Sequence, residues 1–414
     1  MAKRALRPLV LASALAALVP AAGVAQPAKP AAAPAVPGQA KPQEIKIGYL
    51  RTYEKTLALS ALDVPPPDIG LAGAKLAIAD NDTTGRFMGQ DFTLVPVTLA
   101  PGDDVAAAAK TMLDGGVSYV ITDLSAEDTL KVADLAKPKG AVVLNVGAAD
   151  DRLRQADCRS NMLHIAPSTA MLTDALAQYL VWKQWSNWAL VEGEHPADKR
   201  YADDLKRSAK KFGAKIVGEK VFPDKGGARA TDSGQALVQR QIPVFLQDLP
   251  DHQVLLVADR SEVFGTYIPW RTWIPRPVAG TAGLRSTAWD PTSQEWGGEQ
   301  IQNRFQSQSG RRMDARDMEA WTAVRSIGEA ATRTHSADPA KLIAYLKSPK
   351  FSVAAFKGQK LTFRDWDWQL RQPILLSDGR SVVSVSPQEG FLHQVSELDT
   401  MGYDRPETKC VFKD

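Results

Sequence analysis

The sequence predicts an α/β fold of two lobes, each built on a parallel sheet, and three observations lead there. Strand-like and helix-like segments alternate from Glu44 onward. The strands are short continuous apolar runs, such as VSYVIT and AVVLNVG, as expected where helices cover both faces of a sheet. The alternation also repeats, giving two consecutive units of about 120 residues each, enough chain for two domains.

The elements follow in order. Lys3, Arg4 and Arg7 precede an apolar run from Leu9 to Val19, and Gly23-Val24-Ala25 places small residues at a cleavage position. Residues 1–25 therefore read as a secretory signal peptide whose apolar middle is too short to span a bilayer. An uncleaved anchor is the alternative; the small residues and prolines right after the run argue against it. No cysteine stands at the cut to carry a lipid. Residues 26–42, QPAKPAAAPAVPGQAKP, read as a Pro/Ala-rich linker.

IKIGYL is the first strand, and Pro65-Pro66-Pro67 bars helix in the loop after it. GLAGAKLAIADND is a helix with its unit ending at Gly85, and FTLVPVTL is a strand. DDVAAAAKTMLDGG has acids at its start and glycines at its end, as a helix prefers. VSYVIT, AEDTLKVADLAKPKG and AVVLNVG continue as strand, helix, strand. The second unit runs LTDALAQYLVWKQW (helix), NWALVEG (strand), ADKRYADDLKRSAKKFGA (helix) and KIVGEKVF (strand). A helical start at SGQALVQRQ is interrupted by Pro243; HQVLLVAD is a strand and SEVFGTYI opens a helix. DMEAWTAVRSIGEAATRT and DPAKLIAYLKS are helices. From Lys360 the chain reads as strands, with Asp365-Trp366-Asp367-Trp368 alternating along one of them and Asp378-Gly379 turning a hairpin.

Composition excludes some function classes. At 44% hydrophobic and 23% charged, the 414 residues are ordinary globular material. The net charge of +3 is matched by the three cations of the leader, so the rest is near neutral and offers no clustered positive field for nucleic acid. The histidines 164, 195, 252, 335 and 393 are scattered, and no G-x-S-x-G elbow, Walker loop or G-x-G-x-x-G appears. The residues thus point to no catalysis and no cofactor. Asp80, Asp82, Thr84 and Asp91 fall at calcium-loop spacing around Gly85, but the last acid is Asp rather than a bidentate Glu. The stretch is read as a helix end, and no metal site is assigned. Trp182, Trp185 and Trp188 read as packing. Cys158 and Cys410 permit one intramolecular disulfide, which an exported compartment favours, although unpaired thiols fit the same count.

The order of IKIGYL, GLAGAKLAIADNDTTGRFMGQDFTLVPV, VSYVITDLSAEDT, VVLNVGAADDRL, NMLHIAPSTAMLTDALAQYL and GAKIVGEKVF resembles that of the type I periplasmic solute-binding proteins, the branched-chain amino acid kind of ABC-transporter receptor. It covers Ile45 to about Pro373, and its spelling is similar to a branch associated with pyrroloquinoline-quinone-dependent alcohol oxidation. The resemblance implies a hinge, three crossovers, a central cleft for a small solute, no enzymatic activity, a periplasmic location and an inner-membrane ABC permease as partner, with the chain acting as a monomer. It implies lobe 1 from 43–163 and 285–360, and lobe 2 from 164–284 with a closing segment and tail at 361–414. The alternative it carries is an accessory or sensory ligand-binding protein of a periplasmic quinone-dependent alcohol oxidation system.

Ligands in parallel α/β sheets bind beyond the carboxyl ends of strands. That rule selects Tyr53 after the first strand, Asp123 and Ser125 after VSYVIT, and Asn145 and Ala148 around the end of VVLNVG. In the second unit it selects Tyr201 behind Glu194 and His195, Arg260 after HQVLLVAD, and Trp289. The amino-acid receptors hold a carboxylate with Ser and Thr and an ammonium with an acid. Here the expected serine aligns with Ala126, the expected Ala-x-Thr reads Gly147-Ala148-Ala149, and no Asp or Glu occurs between Glu262 and Asp290. A standard α-amino acid is therefore not the expected ligand; an alcohol, acid or related small molecule is.

Overall fold

The computed structural model describes residues 43–53, 64–225 and 238–412; the expected signal peptide, the linker and Glu54 lie outside them. Two parallel sheets form the framework. The first uses β1 (Gln43–Thr52), β2 (Gln90–Leu99), β3 (Tyr119–Asp123), β4 (Val142–Asn145) and β5 (Met162–His164) in the order β2-β1-β3-β4-β5. Helices α1 (Leu71–Met88), α2 (Val105–Asp114) and α3 (Ala126–Ala136) connect them. β3 and β4 are buried almost throughout, which is why they carry unbroken apolar runs. Asp104 caps α2 by accepting from the N–H groups of Ala106 and Ala107.

The second unit begins with α4 (Thr169–Trp182), β6 (Asn187–Gly193), α5 (Pro196–Phe212) and β7 (Lys215–Phe222). It continues with α6 (Val238–Leu246), β8 (Val254–Ala258), α7 (Ile268–Arg271) and β9 (Val278–Gly280). Its sheet order is β7-β6-β8-β9, again all parallel. Then come β10 (Arg285–Thr287), α8 (Gly298–Ser309), α9 (Ala315–Thr334) and α10 (Pro339–Leu346). The chain ends with β11 (Val353–Ala354), β12 (Lys360–Phe363), β13 (Leu370–Arg371), β14 (Ile374–Ser377) and β15 (Val382–Ser386). β14 pairs antiparallel with both β10 and β15, and Gly379, at φ 83°, makes the expected hairpin turn.

α8 to α10 return to the first sheet. α9 lies parallel to α1: Asp317 accepts from the Gly70 N–H at one end and the Ala331 carbonyl accepts from Gln90 at the other. A Cβ on Gly73 would sit 1.9 Å from the Asp317 carbonyl oxygen, so this helix contact needs glycine. Ile165, Trp289 and Leu370 belong to the first core, whereas Met171, Ala279 and Ile374 belong to the second. The chain thus passes between the cores near 166–170, 280–288 and 371–373, after which β14 straddles them, with Ile374 and Leu376 in the second core and Leu375 in the first.

Several local expectations are corrected. α1 does not end at Gly85 but runs to Met88 and stops at Gly89, whose φ of 65° is left-handed. Gly85 is instead needed for its size, since a Cβ there would lie 2.7 Å from the Gln90 carbonyl oxygen. Pro243 sits inside α6 rather than interrupting it, and burial of Val238, Ile242 and Leu246 holds that helix against the second sheet. Asp365–Trp368 is a turn, not a strand. The Asp367 carboxylate accepts from the Gln369 N–H, Trp368 takes φ 54°, and the Arg364 N–H bonds to the Gln369 carbonyl. SEVFGTYI yields a loop, a single 3-10 turn at Gly265–Tyr267 and the start of the four-residue α7. α8 and β5 carry too little periodic apolar signal to have been expected.

Cys158 and Cys410 are bonded, with their Cα atoms 5.6 Å apart. The tail that leads to Cys410 first buries Leu398 and Met401 in the second core. Cys158 lies in the turn that Arg159 and Asn161 fasten to α3. The bond therefore closes a sequence separation of 252 residues and ties the tail to the first lobe. Cys410→Ala should lower unfolding stability by about 2–4 kcal/mol, read as a lower urea midpoint, with an unchanged midpoint counting against a structural role for the cross-link.

Candidate functional site

The carboxyl ends of the first sheet bring Tyr53, Asp123, Ser125, Asn145 and Ala148 to one edge. Most of their polar groups are already spent. The Tyr53 hydroxyl donates to the Pro65 carbonyl at 3.1 Å, and the Arg51 guanidinium lies 5.0 Å from its ring centre. Ser125 caps α3, accepting from the Asp128 N–H and donating to the Asp128 carboxylate. Asn145 is fully buried. Its oxygen accepts from the N–H groups of Gly147 and Ala148, and its amide nitrogen lies 2.7 Å from the Ala148 carbonyl and 3.1 Å from His164 Nδ1. Ala148 is buried, and its carbonyl also accepts from Arg154 at 2.9 Å. These residues shape the strand ends, and their sequence signal was the signal of turn chemistry as much as of binding.

The second lobe is similar. Asp198 is buried under the start of α5 and accepts from the N–H groups of Ser261 and His195. His195 Nε2 lies 2.9 Å from Asp224, and Glu194 is exposed. Tyr201 is in the second core, where burial pushes its phenol up to about 12. Arg260 is exposed at the end of the β8 loop. Trp289 is packed in the first core, and its indole N–H has no hydrogen-bond partner among the described residues.

Sequence reasoning missed the charged group at the first sheet's edge. Arg316, in the first turn of α9, lies 3.3 Å from Asp123 and 3.3 Å from Glu319. Tyr49 donates to Asp123 at 3.3 Å. Lys357 bonds to Gln372 at 2.5 Å, and Gln372 in turn donates to the Ile165 carbonyl, between the two cores. Burial raises the Glu319 carboxyl to about 7 and lowers the Lys357 ammonium to about 7. Burial works against charge on Arg316 as well, but Asp123 and Glu319 outweigh it and hold the guanidinium above its ordinary range. Two acids and two bases make a neutral set, as a low-dielectric site requires. In sequence, these residues look like ordinary charges on a helix and a loop, and only the packing of α9 against α1 brings them to the strand ends.

A second charged group joins the lobes. Asp151, after β4, faces Asp204 of α5, and burial, followed by Asp151, pushes the Asp204 carboxyl up to about 8. Asp174 nearby is fully buried and pairs with Arg207 at 2.6 Å and Lys211 at 2.9 Å. Elsewhere, a groove of about 870 Å³ lies between the 291–306 segment and β15, and none of the strand-end residues lines it. In the calcium-like stretch, Asp80 accepts from Trp321 Nε1 and pairs with Arg304, and Asp82 accepts from the Phe92 N–H.

Two outcomes follow from these contacts. Ser125→Ala removes a helix cap and should cost about 1 kcal/mol in urea unfolding. Asp204 is held above its unfolded value near 4, so the stability it carries is present below that value and is lost as pH rises toward 8. Asp204→Asn should therefore flatten the fall in stability between pH 5 and pH 8.5; an unchanged pH profile would count against the shift.

Comparison with known proteins agrees with this architecture. A family model described as periplasmic binding protein matches residues 68–378. No curated protein matches significantly. Among solved structures, a periplasmic binding protein from Burkholderia mallei is similar at 18% identity with TM-score 0.62, covering 90% of this chain and 100% of that one. A leucine-, isoleucine-, valine-, threonine- and alanine-binding protein from Brucella ovis, in a closed conformation, shows 13% identity and TM-score 0.62, covering 81% and 90%. A Rhodopseudomonas palustris solute-binding protein of an ABC transporter, solved with 4-hydroxybenzoate, shows 13% identity and TM-score 0.60, covering 83% and 97%. With the family model spanning most of the chain, this two-lobed α/β protein belongs to the periplasmic binding protein family.

Proposed function

We propose that the protein captures a small solute in the cleft between its lobes, in the periplasm, and delivers it to an inner-membrane ABC permease. The observation that carries this reading is the passage of the chain between two cores through short segments near 166–170, 280–288 and 371–373, with β14 straddling the two after the third. Such segments let two lobes pivot without breaking either sheet, so a ligand touching both shifts the open–closed balance by its differential affinity.

The solute is not a standard α-amino acid. The Ser125 hydroxyl and the Asn145 amide are engaged locally, no threonine follows β4, and no acid lies between Glu262 and Asp290 to meet an ammonium. A buried ammonium left without its acid forfeits about 2–5 kcal/mol. Small acids and alcohols escape that cost, and the hydroxybenzoate held by the Rhodopseudomonas palustris neighbour is of this class.

Thermal unfolding against amino acids, aliphatic and aromatic acids, alcohols and aldehydes tests the reading. A ligand at a hundredfold over its Kd should stabilise the folded state by about 2.7 kcal/mol. Stabilisation by leucine would overturn the exclusion of amino acids, and no stabilisation by any compound would overturn the receptor role.

A further inference from the structure

The groove of about 870 Å³ between the 291–306 segment and β15 is lined in part by an indole that the backbone holds there under strain. Trp296, in the turn before α8, is 50% exposed and takes φ 50° and ψ 33°, a left-handed conformation that bulky side chains rarely adopt. Its surroundings share that conformation: Gly297 has φ 83°, Phe356 φ 55° and Gly358 φ 77°. A Cβ on Gly358 would lie 2.6 Å from the indole Cε2, so the 358 backbone backs the ring as only glycine can. Two strained non-glycine residues thus serve to present an indole at a groove rather than to bury it.

The rest of the lining joins a polar wall to an apolar one. Glu299, Asn303 and Gln306 share one face of α8, and Gln294 precedes them. None of these side chains makes a hydrogen bond or ion pair among the described residues. Opposite, β15 contributes Val382 and Val383. The charges balance, with Glu295 and Glu299 against Arg312 and Arg380 and no other acid or base in the lining.

We propose that this groove is a second ligand site, for a neutral saccharide whose ring stacks on Trp296 while its hydroxyls bond to Gln294, Asn303 and Gln306. It stands apart from the receptor reading, since none of the strand-end residues lines the groove.

The balanced charges give an ionic guest no unmatched partner, and an apolar guest would strip water from amides and charges without replacing it. A sugar ring avoids both costs. Its C–H face meets the electron-rich face of the indole. Its vicinal hydroxyls, each donor and acceptor, match the paired donor and acceptor of a planar amide. A flat aromatic guest would use the indole and leave the amides unpaired. The volume falls in the range of small-molecule sites.

Calorimetry of the mature protein with maltotetraose, cellotetraose and N-acetylchitotetraose, each against its monosaccharide, tests this. At least one should bind, with a Kd that does not change with salt. A tetramer tighter than its monomer supports the site with a glycan chain as the source, and equal affinities support it with a free sugar. Trp296→Gly removes the indole, keeps the left-handed backbone and should weaken binding by about tenfold. Asn303→Ala combined with Gln306→Ala, on the exposed face of α8, should weaken it by about tenfold with an unchanged urea midpoint. That double variant decides the matter should the tryptophan variant fail to fold. No saccharide binding at millimolar concentration, binding that both variants leave intact, or equal binding of tetraalanine, citrate or spermidine would overturn the inference. None of these outcomes bears on the cleft, which the thermal panel tests separately.

Discussion

Arg154 is the contact on which the junction of the lobes depends. Its guanidinium is fully buried and donates to the carbonyls of Ala148, Asp150 and Ala166 and to Gln369 Oε1. Gln369 then donates from Nε2 to the carbonyls of His164, Ala166 and Leu370. One side chain thus gathers the loop after β4, the first passage between lobes and the turn that precedes the third. Burial lowers even this guanidinium to about 10, a measure of how costly the site would be without its partners. The three backbone carbonyls it meets also accept from Asn145, the Leu153 N–H and Gln369, so the guanidinium fills their second acceptor positions.

Around that point the C-terminal tail acts as a strap. Arg364 is buried and donates to Asp399 and to the carbonyls of Leu398 and Met401, and Arg371 shares Asp399. Asp174 accepts from the Gly402 N–H, and Lys211 donates to the Gly402 carbonyl. The tail is thereby fixed to the second lobe before Gln155 accepts from the Lys409 N–H and Cys410 bonds to Cys158 on the first. Any pivoting of the lobes is bounded by this run from Gly402 to Lys409.

How much of this was legible in sequence divides along physical lines. Continuous apolar strands and capped helices are local, so β1 to β4, β6 to β8, α2 to α5 and α9 could be placed from residue type alone. The hairpin at Gly379 was likewise readable because the turn itself demands the residue. β5 has three residues and α8 buries few side chains, so neither announces itself. At Asp365–Trp368, alternation suggested a strand, but the Asp367 side chain competes for the backbone and makes a turn. Among candidate site residues, Asp123 stands beside the charged group, while Ser125 and Asn145 serve their own loops and Tyr201 and Trp289 fill cores. Strand ends need polar residues to fold and to bind, and sequence position does not separate the two uses.

What separates them is whether a polar group has somewhere else to go. Asn145, Asp198 and Asp259 each satisfy two or more backbone N–H groups and have little left to offer a ligand. Arg316, paired with Asp123 and Glu319 at 3.3 Å, stands at the start of a helix aligned with α1, where both helices present their amino ends toward the strand ends. In this fold the hydrogen-bond capacity of the strand-end loops is nearly exhausted by the loops themselves. The charged group beside them is completed by a residue delivered from a distant helix, and the sequence separation of 193 between Asp123 and Arg316 is bridged only when the chain has crossed to the second lobe and come back.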